Sequence, residues 1–331
     1  MNFNTVKGQN LSIERIQADI EQGRICGAYL FSGPPGVGKK MVAICFAKAL
    51  NCKKNNFRGC EECSSCLKME KDAHPNLRII FPEKESIKIE QIRNLKAESG
   101  YKIYEGKRRV WIIDEADKLT QEAANSLLKI MEEPPSDLIL VLITHIPRTL
   151  PSTIISRCRT IQFSRLADRE VTEILREKSV LSNNLISLVS QLARGSISEA
   201  LKFTQSEEIL REREVIFNLI KKNKSLSSQV FKLSERWSGK QRADIETLLN
   251  ILLFFLRDIL ILKVDGQAFI FNRDKLTDLL NLKDNYSFST LYRSIEAVEQ
   301  SKVFIKANVS TQLVLETTWM KILYPEQLTY P

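Results

Sequence analysis

Residues 28–40 read AYLFSGPPGVGKK. The apolar run Ala28–Ser32 leads into Gly33-Pro34-Pro35-Gly36-Val37-Gly38-Lys39, and a helical pattern begins at Lys39. Strand, glycine-rich loop and helix in that order form the setting in which such a loop cradles phosphate. Glycines let backbone N–H groups turn inward around phosphate oxygens, and the helix N-terminus adds a favourable dipole. Lys39 is positioned to reach the outer phosphates. Gly33, Gly36, Gly38 and Lys39 are therefore candidate nucleotide-binding residues.

Position 40 departs from the motif. The pattern requires Ser or Thr, whose hydroxyl ligates Mg²⁺, and here the residue is Lys40. Lysine offers no acceptor, and its ammonium repels a cation. Downstream, Asp114-Glu115-Ala116-Asp117 closes the apolar run Val110–Asp114, where carboxylates that organise Mg²⁺ and water belong. Asp114 and Glu115 thus join the candidate site. Lys40 has two readings: it takes the metal's place and pairs with Asp114, or it points to solvent. Under either, efficient Mg·ATP hydrolysis by this chain is not expected.

Outward from the loop, short apolar runs alternate with helical patterns. Ala28–Ser32, Arg78–Phe81, Val110–Asp114, Leu138–Thr144 and Thr160–Phe163 read as buried strands; Lys39–Leu50 and Gln121–Glu132 read as helices. Alternation of this kind predicts an α/β fold with a parallel sheet covered on both faces. After about Arg165 the strand signal fades. Short amphipathic helices are expected from Asp168 to about Gln205, around the turn Arg194–Gly195. Longer helices follow from about Glu208, including Asp244–Lys263 and Leu291–Lys306, and only the polar stretch TQSEE marks the boundary.

A chain of 331 residues suits two or three compact units, and 43% apolar with 27% charged residues excludes a mostly disordered polymer. The net charge of +9 is compatible with nucleic-acid or nucleotide partners, and equally with a merely soluble basic protein. The charge clusters Lys107-Arg108-Arg109 and Lys221-Lys222-Asn223-Lys224 are not interleaved with aromatics, so a base-stacking groove is not indicated. The most apolar stretch, Leu248–Leu262, is broken by Arg257 and Asp258 and reads as a buried helix rather than a membrane span. The opening MNFNTVKGQN lacks a basic region followed by an apolar core, so the expected setting is cytoplasmic.

Seven cysteines in such a setting suggest reduced thiols or metal ligands. Four of them, Cys52, Cys60, Cys63 and Cys66, fall within NCKKNNFRGCEECSSC. Four thiolates complete a tetrahedral zinc site with no position open for catalysis. A redox role for either overlapping CxxC is the weaker reading, since no thioredoxin-like context surrounds it. Cys26, Cys45 and Cys158 lie beside apolar residues and read as packing.

Several segments together resemble bacterial clamp-loader AAA+ subunits: Gly23–Lys40, the four-cysteine insert, AANSLLKIMEEPP (Ala123–Pro135), PSTIISRC (Pro151–Cys158), FFLRDILILK (Phe254–Lys263) and NVSTQLVLE (Asn308–Glu316). The similarity runs through nearly the whole chain. It implies an AAA+ P-loop core over residues 1–166 that includes the zinc module at 52–66, a helical lid over 167–207, and an all-α collar over 208–331. It also implies a pentameric ring with the ATPase subunits gamma/tau and with delta, contact with the sliding clamp only indirectly, and primed DNA held within the assembled complex. Arg157, in the Ser-Arg-Cys motif, corresponds to an arginine finger inserted into a neighbour's ATP site. Thr144 corresponds to a polar sensor at the end of its strand.

The family's ATPase members are expected to keep Thr or Ser after the loop lysine and an arginine in the lid near a Gly-Ser. Here Lys40 and Ser198 stand at those positions. His74-Pro75-Asn76-Leu77 and IKIEQIRNLK (Ile87–Lys96) agree with a non-hydrolysing member. The expectation is a bracing subunit of a DNA polymerase holoenzyme, with structural zinc and with ATP or ADP bound weakly or not at all. The alternative is an active gamma/tau-type ATPase.

Overall fold

The five apolar runs of the first half pair as one all-parallel sheet: β1 (Ala28–Ser32), β2 (Leu77–Ile80), β3 (Arg109–Ile113), β4 (Leu138–Thr144) and β5 (Arg159–Gln162), in the order β2-β3-β4-β1-β5. The structure is a computed structural model that describes residues 2–54, 57–99, 106–205, 207–222 and 227–324, so part of the basic run at 221–224 lies outside the described residues. The central strands β1, β3 and β4 are buried at every position, as parallel strands covered on both faces must be. The edge strands β2 and β5 are buried at one position each.

Strand interiors fall where apolar runs predict them, whereas some ends move by one residue. β3 begins at Arg109, a charged residue, because its N–H bonds the Asp137 carbonyl (2.8 Å) and its guanidinium pairs with the Asp137 carboxylate (3.2 Å). β5 begins at Arg159, whose guanidinium meets the buried Asp19 at 2.6 Å. A satisfied charge can sit at a strand end that a hydrophobicity reading would leave out.

Among the described residues, six α-helices accompany the sheet: α1 (Asn10–Glu21), α2 (Lys39–Asn51), α3 (Ser64–Glu70), α4 (Ile89–Ser99), α5 (Gln121–Glu132) and α6 (Ser152–Ile155). The start of α5 is set by Thr120, whose hydroxyl accepts from the Ala123 N–H at 3.3 Å. Its apolar face, Ala123, Ala124, Leu127 and Ile130, joins Trp111, Ile113, Leu140 and Leu142 of β3 and β4 in one core. Each large aliphatic side chain so buried contributes about 1.5–3 kcal/mol. A second set of rings joins β1, α2 and the end of β5: Tyr29 meets Phe46 edge-on at 5.0 Å, and Phe31 lies 5.2 Å from Phe163.

The chain divides into two compact units, residues 1–174 with 195–198 and residues 175–194 with 199–331. Helix α7 (Asp168–Lys178) and helix α9 (Ile197–Gln205) have residues in both, and α8 (Asn183–Leu192) belongs to the second. No strand follows β5 among the described residues. The second unit is built of α10 (Glu207–Lys222), α11 (Ser227–Ser238), α12 (Arg242–Leu262), α13 (Leu276–Leu282), α14 (Phe288–Lys306) and α15 (Thr311–Leu323), with Trp237 and Trp319 packed 6.1 Å apart. No described helix is long and apolar enough to cross a membrane.

The charges inside the apolar stretch of α12 have a structural use. Asp258 is fully buried and accepts from the backbone N–H of Asn272 at 2.7 Å, the Asn272 side-chain amide at 2.8 Å and the Phe271 N–H at 3.0 Å. Asn272 in turn accepts from the buried Arg213 of α10 at 2.9 Å, and Arg213 reaches Asp274 at 2.7 Å. Burial raises the Asp258 carboxyl above its ordinary value, against the pull of the Asn272 and Phe271 amides. Asp258→Ala strands three donors at once. The expected loss is about 3 kcal/mol in a denaturant melt, and a loss within error would mean that water replaces the carboxylate.

Candidate functional site

The phosphate loop is shaped by contacts that exclude side chains. Gly33 has φ 153°, and a Cβ there would lie 2.3 Å from the Phe163 carbonyl oxygen. Gly36 has φ 72°, and a Cβ there would lie 2.1 Å from the Ser196 hydroxyl. The Gly36 carbonyl accepts from the N–H groups of Ile197 (2.8 Å) and Ser198 (3.3 Å). Gly38, left-handed at φ 96°, precedes α2 with no side-chain cap, so the first-turn amides of α2 remain available to an anion.

Lys39 is 7% exposed and donates to the carbonyls of Gly33 and Pro34, both at 2.6 Å. An ammonium has three donors, so one is left for a ligand. Burial lowers the Lys39 pKa, with Asp114 and Asp117 acting in the opposite sense.

Lys40 forms no ion pair with Asp114 within 4.0 Å. Its ammonium sits 3.9 Å over the centroid of the Phe81 ring, just beyond β2. Of the two readings, the pairing with Asp114 gives way to a cation–π contact, and the solvent-pointing one is only partly met, because Phe81 is half-exposed. The two charges still sense each other. Burial raises the Asp114 carboxyl, and Lys40 is the strongest influence opposing that rise.

Glu115 takes a left-handed backbone at φ 52° and pairs with Lys118 at 2.5 Å. The hydroxyl of buried Thr144 donates to Asp117 at 2.7 Å and accepts from the Ile146 N–H at 3.0 Å. Asp117 is the residue that sequence reading did not single out. Its signal was a third carboxylate two residues after Glu115, and its role as the anchor of Thr144 depends on β4 lying beside β3. These groups surround a cavity of about 680 Å³ in the first unit, lined among others by Gly36, Gly38, Lys39, Lys40, Asp114, Glu115, Thr144 and Ser198. Gly33 does not line it and shapes the loop instead. The volume falls within the range of small-molecule sites.

Arg157 follows α6 and lies outside that lining. Its guanidinium donates to the Thr153 carbonyl at 3.1 Å and pairs with Glu132 at 3.1 Å, with 42% of the side chain exposed.

The four predicted cysteines converge. Cys52 caps the C-terminus of α2, Cys63 caps the N-terminus of α3, Cys66 lies within α3, and all four sulfurs lie within 4.8 Å of one another. The Cys60 and Cys66 sulfurs are 3.9 Å apart, near the roughly 3.8 Å edge of a tetrahedron with metal–sulfur arms of about 2.3 Å. The Cys63 N–H points at the Cys60 sulfur (3.3 Å) and the Cys66 N–H at the Cys63 sulfur (3.5 Å), contacts that favour thiolates. Burial opposes ionisation of Cys63, yet amide and thiol donors outweigh it and bring that thiol to about 6. Burial pushes Cys66 up to about 12. The donor set and spacing fit a closed zinc site, which would supply structure rather than chemistry.

A parallel sheet in this order, with a phosphate loop after β1, acidic residues after β3 and a threonine closing β4, defines an AAA+-type P-loop fold followed by a helical region. Residues 8–167 match the family model for the DNA polymerase III delta subunit, and residues 207–322 match the model for that subunit's C-terminal region. The delta' subunit of Bacillus subtilis (strain 168) is 31% identical over 300 residues, 90% of this chain and 91% of the relative. The tau subunit of the same organism is 26% identical over 97% of this chain and 61% of its own length. A gamma subunit-related protein of Thermotoga maritima overlaps 93% of this chain and 97% of its own, at 19% identity and a TM-score of 0.45. The chain belongs to the DNA polymerase III clamp-loader family.

Proposed function

We propose that this chain acts as the delta' subunit of a clamp loader, a largely non-hydrolysing member that braces the ring and lends Arg157 to the ATP site of a neighbouring gamma/tau subunit. On this reading residues 1–166 form the core, 167–207 the lid and 208–331 the collar that assembles with gamma/tau and delta into a pentamer. The loader places the sliding clamp on primed DNA, which it holds through phosphates.

One observation carries the proposal. The chain keeps a nucleotide-sized cavity in which Lys40 replaces the hydroxyl that would anchor Mg²⁺, while Arg157 is half-exposed and lies outside that cavity's lining. A guanidinium held only by an exposed carboxylate and one carbonyl is cheaply released, since exposed ion pairs are worth about 0–1 kcal/mol. The similarity to delta' along most of both chains supports the assignment. The similarity to tau along nearly the whole chain favours the second reading, an active ATPase.

Turnover separates the two. The purified chain with Mg·ATP is expected to release no phosphate above background. Brisk hydrolysis, abolished by Lys39→Ala, would transfer the assignment to the motor subunits.

A further inference from the structure

Whatever role Arg157 has, the cavity beside the phosphate loop is still built to hold something. Its glycine loop is intact, with left-handed Gly36 and Gly38. The α2 amides lack a side-chain cap, and Lys39 has one donor to spare. Two elements that the family's ATPase sites are expected to carry are replaced: the hydroxyl that anchors the divalent cation, by Lys40, and the lid arginine, by Ser198.

The charges around the cavity are arranged for a ligand that arrives without a metal. In a standard site Mg²⁺ offsets both the phosphates and the acidic residues after the neighbouring strand. Here Glu115 is already paired with Lys118 at 2.5 Å. Asp117 lies outside the cavity's lining and accepts from the Thr144 hydroxyl at 2.7 Å, with the imidazole of His145 against it at 3.3 Å. Asp114 has no ion-pair partner within 4.0 Å among the described residues, and the tethered ammonium of Lys40 is the positive charge acting on it most strongly. Lys40 is held only by the face of Phe81, an aromatic contact it can exchange for a phosphate oxygen. Two ammoniums and a helix N-terminus therefore face Asp114, the one carboxylate of the lining with no ion-pair partner among the described residues.

We infer that this pocket binds the polyphosphate of a nucleoside di- or triphosphate in its metal-free form, with Lys40 as a built-in substitute for Mg²⁺. The consequence is an inverted metal dependence. Magnesium cancels part of the ligand's charge and finds no hydroxyl ligand, and it is repelled by Lys40, so adding it weakens binding instead of strengthening it. The site would hold nucleotide without being able to organise water for hydrolysis, since the ion that activates that chemistry is excluded.

The test is a fluorescence titration of the full chain with a methylanthraniloyl-ADP probe and its ATP counterpart. Divalent cations are removed from the buffer by resin, because a soluble chelator would attack the four-cysteine site. The probes are expected to bind at least about tenfold more tightly without Mg²⁺ than in its excess. Inorganic tripolyphosphate should displace them. Lys40→Thr should reverse the order, so that Mg²⁺ now tightens binding, and Lys39→Ala should weaken both conditions while the circular-dichroism spectrum is retained. Failure of folded wild-type chain to bind either probe without metal, tighter binding in Mg²⁺, a Lys40→Thr variant that keeps the wild-type order, or no displacement by tripolyphosphate would each overturn the inference. None of these outcomes bears on Arg157, whose role is read in the assembled loader.

Discussion

On the proposed function, Arg157→Ala is expected to leave this chain folded and the loader assembled while turnover at the adjacent ATPase site falls by about a thousandfold. The fold should tolerate the change because the side chain is 42% exposed and its contacts are one carbonyl and Glu132. A lost surface pair of that kind costs at most about 1 kcal/mol. The kinetic loss is large for a different reason. A guanidinium delivered from a neighbour stabilises charge that develops only on the transferring phosphoryl group, so its removal raises the barrier without weakening ground-state binding. Arg157→Lys is expected to recover little, because an ammonium restores the charge but not the two-pronged donor geometry. The measurement is single-turnover ATP hydrolysis and clamp loading by the reconstituted complex, with gel filtration to verify assembly. Wild-type rates from an assembled Arg157→Ala complex would remove the finger from the mechanism.

The parts of this molecule that sequence reading captured are those encoded locally. A strand buried on both faces must be a continuous apolar run, so the interiors of β1, β3 and β4 were legible, and Leu138–Thr144 was legible to the residue. The phosphate loop was legible because its glycines answer steric demands, such as the Phe163 carbonyl against Gly33. What escaped depends on distant partners. Arg109 and Arg159 enter strands only because Asp137 and Asp19 meet them. The resting place of Lys40 on Phe81 could not be read, since no local pattern ties position 40 to the residue just past β2. Nor could the link from Thr144 to Asp117, or that from Arg213 through Asn272 to Asp258, which joins residues 59 and 14 positions apart. Side-chain hydrogen bonds of this range carry no periodic signature.

The four-cysteine module leads to the largest expected change in local order. Metal analysis of the purified chain should find about one zinc per molecule. Its removal should release α3 while sparing the sheet. Helix α3 has seven residues, too few to persist by backbone bonding alone. Its first turn is capped by the Cys63 sulfur, and its third residue is Cys66, so both its start and its interior depend on the candidate metal ligands. Contacts that remain without zinc include the ion pair from fully buried Lys48 of α2 to Glu70 (2.7 Å), the Lys53–Ser64 hydrogen bond (2.8 Å), the Ser65–His74 contact (3.0 Å) and buried Met69. Those contacts keep the segment near α2 without keeping it helical, since Lys48 grips only the last residue of α3. Hydrogen exchange across Ser64–Glu70 should therefore accelerate by about a hundredfold on zinc removal, while exchange in β1, β3 and β4 stays near its starting value. Cys66→Ser should reproduce the effect in metal-replete buffer, because three thiolates and a hydroxyl hold zinc poorly. Unchanged protection of α3 in a chain verified to be zinc-free would mean that Lys48, Ser65 and Met69 suffice, and that the cysteines at 52, 60, 63 and 66 are not what orders this part of the core.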